Sequence, residues 1–112
     1  MKHIMKLKPQ YFDKIKSGEK IYEVRLNDEK RQLLKVGDCL FFKREPECVE
    51  DLHTHIVELK HYKSFVDLLN EIPISQIGFS NISHAEVLKE YYKFYTPEDE
   101  HKFGVVAIRV EL

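Results

Sequence analysis

The side chains best equipped for chemistry fall in one stretch, Gly18-Glu19-Lys20-Ile21-Tyr22-Glu23-Val24-Arg25-Leu26-Asn27. Successive residues of an extended chain point to opposite faces, so Tyr22, Val24 and Leu26 form one apolar row. Ile21, Glu23, Arg25 and Asn27 share the other face, which places a carboxylate, a guanidinium and an amide side by side. Lys20 has the wrong parity for that row. It follows a glycine at the strand entrance, however, where a twist or bulge can swing its ammonium over Glu23 and Arg25. Lys20, Glu23, Arg25 and Asn27 are therefore the candidate ligand-binding residues, and Lys20 and Glu23 the candidate catalytic ones. A lysine depressed by burial or by nearby Arg25 can act as base or proton shuttle, whereas Glu23 beside it favours the charged ammonium. The plain alternative is an exposed Glu–Arg pair of small energetic value.

Other reactive residues form weaker patterns. His53 and His55 share a strand face, but two ligands alone do not hold zinc and neither cysteine lies at a useful spacing, so no metal site is expected. Cys39 precedes an apolar strand and Cys48 lies in an acidic loop, and neither reads as a nucleophile. There is no glycine-rich phosphate loop, which excludes nucleotide hydrolysis of the P-loop type. Tyr91, Tyr92, Phe94 and Tyr95 could stack bases. Their helical spacing favours a core role for Tyr91 and Tyr95.

The elements that must position these groups follow from periodicity. Residues 3–8 alternate as a strand with Met5 and Leu7 inward. Pro9 opens a helix that carries Tyr11, Phe12 and Ile15 and stops at Gly18. The strand at 20–27 follows, then a charged turn or short helix, a Val36-Gly37-Asp38 turn and a buried strand from Cys39 to Phe42. An acidic loop over 44–52 leads to a strand over 53–62. Ser64 and Ser83 cap two helices, the second running to Tyr95, and Thr96-Pro97 opens a short third. Val105–Leu112 alternates as the last strand. The pattern is α+β: a small mixed barrel of about five to six strands, terminal strands adjacent, with two or three helices packed on one side. A ferredoxin-like sandwich is the alternative.

The 112 residues suffice for a single domain, 1–112, with one hydrophobic core. Two cysteines give no disulfide framework, no apolar run approaches the ~20 residues of a membrane span, and the first residues carry no leader-like apolar stretch. A cytoplasmic protein is expected. Net charge is −1, but residues 1–44 hold twelve Lys/Arg against six Asp/Glu, and residues 45–112 hold six against thirteen. The basic half suits a phosphate-bearing ligand held by local, salt-sensitive contacts.

Three blocks in order resemble the ASCH domain, a branch of the PUA-like superfamily. The first is Leu7-Lys8-Pro9-Gln10-Tyr11-Phe12-x-x-Ile15-x-x-Gly18-x-Lys20-x-x-Glu23-x-Arg25. Val36-Gly37-Asp38 resembles the family's barrel turn. The third comprises Tyr62-x-Ser64-Phe65-x-x-Leu68-Leu69 and Tyr92-x-x-Tyr95 with Glu100-x-x-Phe103-Gly104-Val105-Val106-Ala107-Ile108. The resemblance implies a PUA-like barrel with a cleft between barrel and helices that binds RNA or a nucleoside or nucleotide. It also brings in small amidohydrolases acting on N4-acetylcytidine, in which the lysine matching Lys20 is catalytic, and members with ribonuclease activity. The amidohydrolases carry threonine where this chain has Glu23, and no counterpart of their later glutamate stands near Ile77–Asn81. Lys20, Glu23 and Arg25 suit anchoring a base edge or phosphate better than attacking an amide. Binding without cofactor or metal is the first expectation, and hydrolysis the second. A protein-interaction module using residues 45–51 is the third, its partner unknown.

Overall fold

Strict alternation starts the fold. In the computed structural model, which describes residues 1–112, β1 (Lys2–Leu7) buries Met5 and Leu7 and turns Lys2, Ile4 and Lys6 outward. Pro9 supplies the first residue of α1 (Pro9–Ser17), whose Phe12 and Ile15 are buried. Gly18 ends that helix at φ +86°, with its N–H on Ile15 O. This left-handed cap suits glycine and aims the chain into the next strand. Strands β2 (Tyr22–Leu26), β3 (Cys39–Arg44) and β4 (Asp51–Tyr62) follow. Then come α2 (Phe65–Glu71), α3 (His84–Tyr91), α4 (Pro97–Phe103) and β5 (Val105–Glu111).

The strand order is β1-β3-β4-β5-β2, with β1–β3 parallel and the other pairs antiparallel. A bulge between Ile56 and Glu58 breaks the β4–β5 register, and such a bulge adds local bend and twist. The result is a curled half-barrel of five strands with helices packed on it. Four helices stand where two or three were expected, and β1 pairs only with β3, so the terminal strands β1 and β5 are not neighbours. The edges that face each other across the opening are β1 and β2.

Strand β5 is buried on both faces over its first four residues, Val105–Ile108. Val106, Ile108 and Val110 join Met5, Leu7, Phe12, Leu40, Phe42 and Ile56 in a core inside the curl. Val105 and Ala107 join Tyr22, Val24, Leu26, Phe65, Leu68 and Val87 in a second core beneath α2–α4. The helices thus divide, α1 serving the first core and the other three the second. Sequence periodicity extended α3 to Tyr95. The helix stops at Tyr91, and the amides of both Phe94 and Tyr95 turn back to Tyr91 O. Glu100, only 7% exposed, explains how the helical layer coheres. Its carboxylate accepts from the Phe65 amide at the start of α2 and from the Tyr92 hydroxyl, both at 2.7 Å.

The Gly37-Asp38 turn joins the start of β3 to the chain's first residues. Gly37 (φ +96°) donates to Ile56 O, while the Asp38 carboxylate accepts from His3 Nε2 at 2.8 Å, the Met1 amine at 3.1 Å and the Lys35 amide at 3.1 Å. The His3 hydrogen bond leads the causes that lower the Asp38 pKa from 3.8 to about 2. A depressed carboxylate stabilises the fold fully above its unfolded pKa and loses that contribution as pH falls through the folded one. The stability gap between wild type and Asp38→Asn is therefore expected to be constant above about pH 5 and to shrink between pH 4 and pH 2. Urea titrations across that range measure it, and a gap that stays the same at pH 2 would refute the assignment.

Candidate functional site

Gly18 and the extended Lys20-Ile21 pair deliver Lys20 to the base of a cleft. The Lys20 amide binds Lys14 O and the Ile21 amide binds Gln76 O, so the chain enters the sheet ladder only at Tyr22. Off-ladder backbone frees Lys20 from strand parity. Its stem passes Gly78 (φ +100°), where a Cβ would sit 2.9 Å from Lys20 Cδ and 3.3 Å from Tyr11 Cδ1. Glycine at 78 is thus what lets the lysine reach inward.

Glu23 and Arg25 face the interior of the curl, in register with Ile108 and Val106. Glu23 is the centre of the arrangement. One oxygen meets Lys20 Nζ at 3.1 Å and the other meets Arg25 Nε at 2.7 Å. Lys20, 3% exposed, donates also to Tyr22 O and to Ile77 O, so all three ammonium protons have acceptors. Arg25 sends Nη2 to Lys6 O at 3.0 Å, across the seam between the two edge strands. The seam is closed by a side chain where no ladder forms.

Burial raises the Glu23 pKa, but the charges of Lys20 and Arg25 outweigh it and hold the carboxyl below its usual value. Burial also lowers the Lys20 pKa, against the pull of Glu23. Arg25 is raised, since Glu23 more than offsets its own burial. The carboxylate is thus firmly ionised between two cations.

Above this network lies a cleft of about 320 Å³. Tyr11 from α1, Phe79, Tyr91 at the end of α3, and Phe94 and Tyr95 just past it make an aromatic wall, while Lys6, Lys8 and Arg25 line the rim together with the carboxylates Glu45 and Glu90. Tyr91 stacks flat on Phe65 at 4.6 Å, and Tyr95 lies 5.6 Å from the same ring. Each therefore serves the core with one face and the cleft with another, more than the core role expected of them. Phe94 is 63% exposed, with the Lys8 ammonium 4.7 Å from its ring centre. Burial is the first cause that raises the pKa of Tyr11, Tyr91 and Tyr95, which keeps the phenols neutral and able to donate.

Lys20, Glu23 and Arg25 come together; Asn27 does not join them. β2 ends at Leu26, and Asn27 turns its amide to Gly104 O and its carbonyl to Gln32 Nε2. Its side-chain oxygen is buried without a partner, away from the cleft. Sequence reasoning passed over Tyr11, Phe79, Lys6 and Lys8 as cleft residues. The Tyr11-Phe12 doublet offered a signal, since only one of two adjacent aromatics can face the core of a short helix, and Phe12 does.

Away from the cleft, strand pairing changes the reading of the histidines. Cys39 lies directly opposite His55 and Phe41 opposite His53. The donor atoms of Cys39, His53 and His55 lie within 4.8 Å of one another. Sixteen residues of sequence hide that proximity, and the hairpin register creates it. No helix is long and apolar enough to cross a membrane.

A half-barrel carrying a lysine–glutamate–arginine network at its seam, with a cleft between sheet and helices, defines a PUA-like domain. The ASCH domain profile matches residues 5–112, and the chain belongs to that family. It is similar to the solved structure of hypothetical protein PH0355, at 38% identity and a TM-score of 0.88, over 99% of this chain and 98% of that one. It is similar also to protein PF0455 from Pyrococcus furiosus, at 32% identity and a TM-score of 0.79, over 99% and 96% of the two chains. No curated protein matches the chain.

The network makes Glu23 the residue least replaceable by its neutral counterpart. Removing one partner of a buried ion pair leaves the other charge uncompensated and costs about 3–5 kcal/mol. Glu23→Ala is expected to lose stability on that scale in urea unfolding. Lys20→Met combined with Glu23→Ala is expected to lose much less than the sum of the single changes. Additive, small losses would show that the three charges act independently.

Proposed function

We propose that this ASCH domain binds single-stranded RNA, holding one nucleotide in the cleft with its base on the aromatic wall and its phosphates on the rim cations Lys6, Lys8 and Arg25. The observation that carries the reading is the pairing of those two surfaces on one concave site: Phe94, Tyr95 and Tyr11 beside Lys6, Lys8 and Arg25. Aromatic faces accept any base by stacking, and lysines and arginine at the rim supply the electrostatic contact to phosphate. The cleft is of a size for one nucleoside rather than a duplex. Neutral phenols on the wall add hydrogen bonds to base edges without adding charge.

Glu23 and Arg25 act here in two ways. The network holds the β1–β2 seam, and the outer face of the Arg25 guanidinium contacts the ligand. Lys20 lies behind them as an organising charge. Hydrolysis of an N4-acetylcytidine-type amide, or of RNA, would need Lys20 to exchange a proton with substrate. Its three donors are directed at Tyr22 O, Ile77 O and Glu23, which supports binding over either reaction.

Fluorescence polarisation with short labelled RNAs tests the reading. Phe94→Ala, at an exposed ring, is expected to cost about 1–3 kcal/mol of binding, the range of one base–aromatic stack. Neutralising Lys6 and Lys8 together is expected to flatten the dependence of log affinity on log salt by about 1.4, at roughly 0.7 per single-strand phosphate contact. Affinity that ignores both substitutions and salt would point to a neutral small ligand instead. Incubation with N4-acetylcytidine is expected to leave the nucleoside intact; release of cytidine, lost in Lys20→Arg, would reverse the preference for binding.

A further inference from the structure

We propose that Cys39, His53 and His55 form a surface site for a borderline-soft divalent cation, Zn²⁺ in the first instance, on the outer face of the sheet. The hairpin of β3 and β4 builds it. Directly opposed residues of an antiparallel pair share a face, and so do residues two apart on one strand. Cys39 faces His55 across the ladder, and His53 stands two residues before His55, giving a triangle of one thiol and two imidazoles. Cys39 Sγ lies 3.9 Å from His55 Nδ1, and all three donor atoms fit within 4.8 Å. Donors bound to one tetrahedral zinc, at about 2.3 Å for sulfur and about 2.0–2.1 Å for nitrogen, stand roughly 3.3–3.6 Å apart. Rotation of exposed side chains covers the difference.

The surroundings favour this use over others. The His53 ring is stacked on Phe41 at 4.4 Å and 8°, and the Lys2 ammonium lies 4.6 Å from the same Phe41 ring. That packing fixes one imidazole before a metal arrives, which lowers the ordering cost of binding. Glu111 pairs with His55 on the strand's other side and Lys2 pairs with Cys39, so the row carries one charge of each sign. A cysteine–histidine nucleophile would need a substrate cavity, and none of the three residues lines either principal cavity of the molecule. The set of one sulfur and two imidazole nitrogens matches zinc in preference to magnesium or calcium. Three protein ligands on an open surface leave the fourth position to water or to a donor from another molecule.

The site is separate from the cleft. Cys39 is in register with Lys2, at the opposite end of β1 from Lys6 and Lys8. Zinc binding is therefore expected to leave RNA affinity unchanged.

Isothermal titration of the full chain with Zn²⁺, under reducing conditions, is expected to show one saturable site. Cys39→Ser, His53→Ala and His55→Ala are each expected to weaken it at least about tenfold. His101→Ala, on the remote helix α4, is expected to have no effect. Titration with Co²⁺ is expected to give a sulfur-to-metal charge-transfer band that disappears in Cys39→Ser, with both histidine variants confirmed folded by circular dichroism. Zinc binding that survives His53→Ala/His55→Ala unchanged, or wild-type binding no tighter than that of this double variant, would overturn the proposal.

Discussion

A carboxylate buried between two cations governs how this chain closes. Glu23 lies 3.1 Å from the Lys20 ammonium and 2.7 Å from Arg25 Nε, and Arg25 in turn reaches Lys6 O. Without that chain of contacts the β1 and β2 edges would face each other as unpaired strands. Inward-pointing charge on an edge strand discourages pairing with another molecule, and here it also bridges the gap within one. The desolvation of three charged groups is a cost that the mutual attraction offsets with the help of acceptors for all three Lys20 donors and for Arg25 Nε and Nη2. A function that uses this charge at the cleft would explain why an apolar plug does not stand in its place.

The same network divides labour within the cleft. Lys20 is enclosed and spends its protons on backbone carbonyls and Glu23, so it sets the potential at the floor. Arg25 is the member with reach, 19% exposed at its side chain and placed between floor and rim. The aromatic wall is held from behind by Phe65, which packs against Tyr91, Tyr92 and Tyr95 at once. Phe65 is in turn fixed at its amide by Glu100. A wall held this rigidly would lose little freedom if a ligand stacked on it, which is how preorganisation adds affinity without added contacts.

Periodicity made most of the fold legible. The strand rows at Met5/Leu7 and Val106/Ile108/Val110, the Gly18 stop, and the Ser64, Ser83 and Thr96 caps are local signals, and local interactions produce them. The Lys20–Glu23 contact was also readable, because a glycine before a strand permits a departure from parity. What was not readable depends on distant pairing. Asn27 had the correct parity for the polar row, but it stands just past Leu26 at the far end of β2, with its amide on Gly104 O and its side-chain oxygen buried away from the cleft. Strand order has the same character: nothing in the spacing of β1 and β5 forbids their pairing, and it is β4 and β2, taking both edges of β5, that remove it.

Cys39 and the two histidines carry that argument to its end. Read along the chain, sixteen residues separate Cys39 from His55, and zinc motifs that depend on short spacing fail. Read across the ladder, they are direct neighbours. A β-hairpin converts sequence distance into contact at each opposed pair, so a ligand set on a sheet has no fixed sequence spacing beyond the two-residue repeat of each strand. The hairpin register, once set by Leu40, Phe42 and Thr54 in the core, places the outward residues as a consequence. Thr54, fully buried, donates to Leu40 O at 2.7 Å and locks that register from the inside. The inner face of the sheet thereby determines which side chains meet on the outer one.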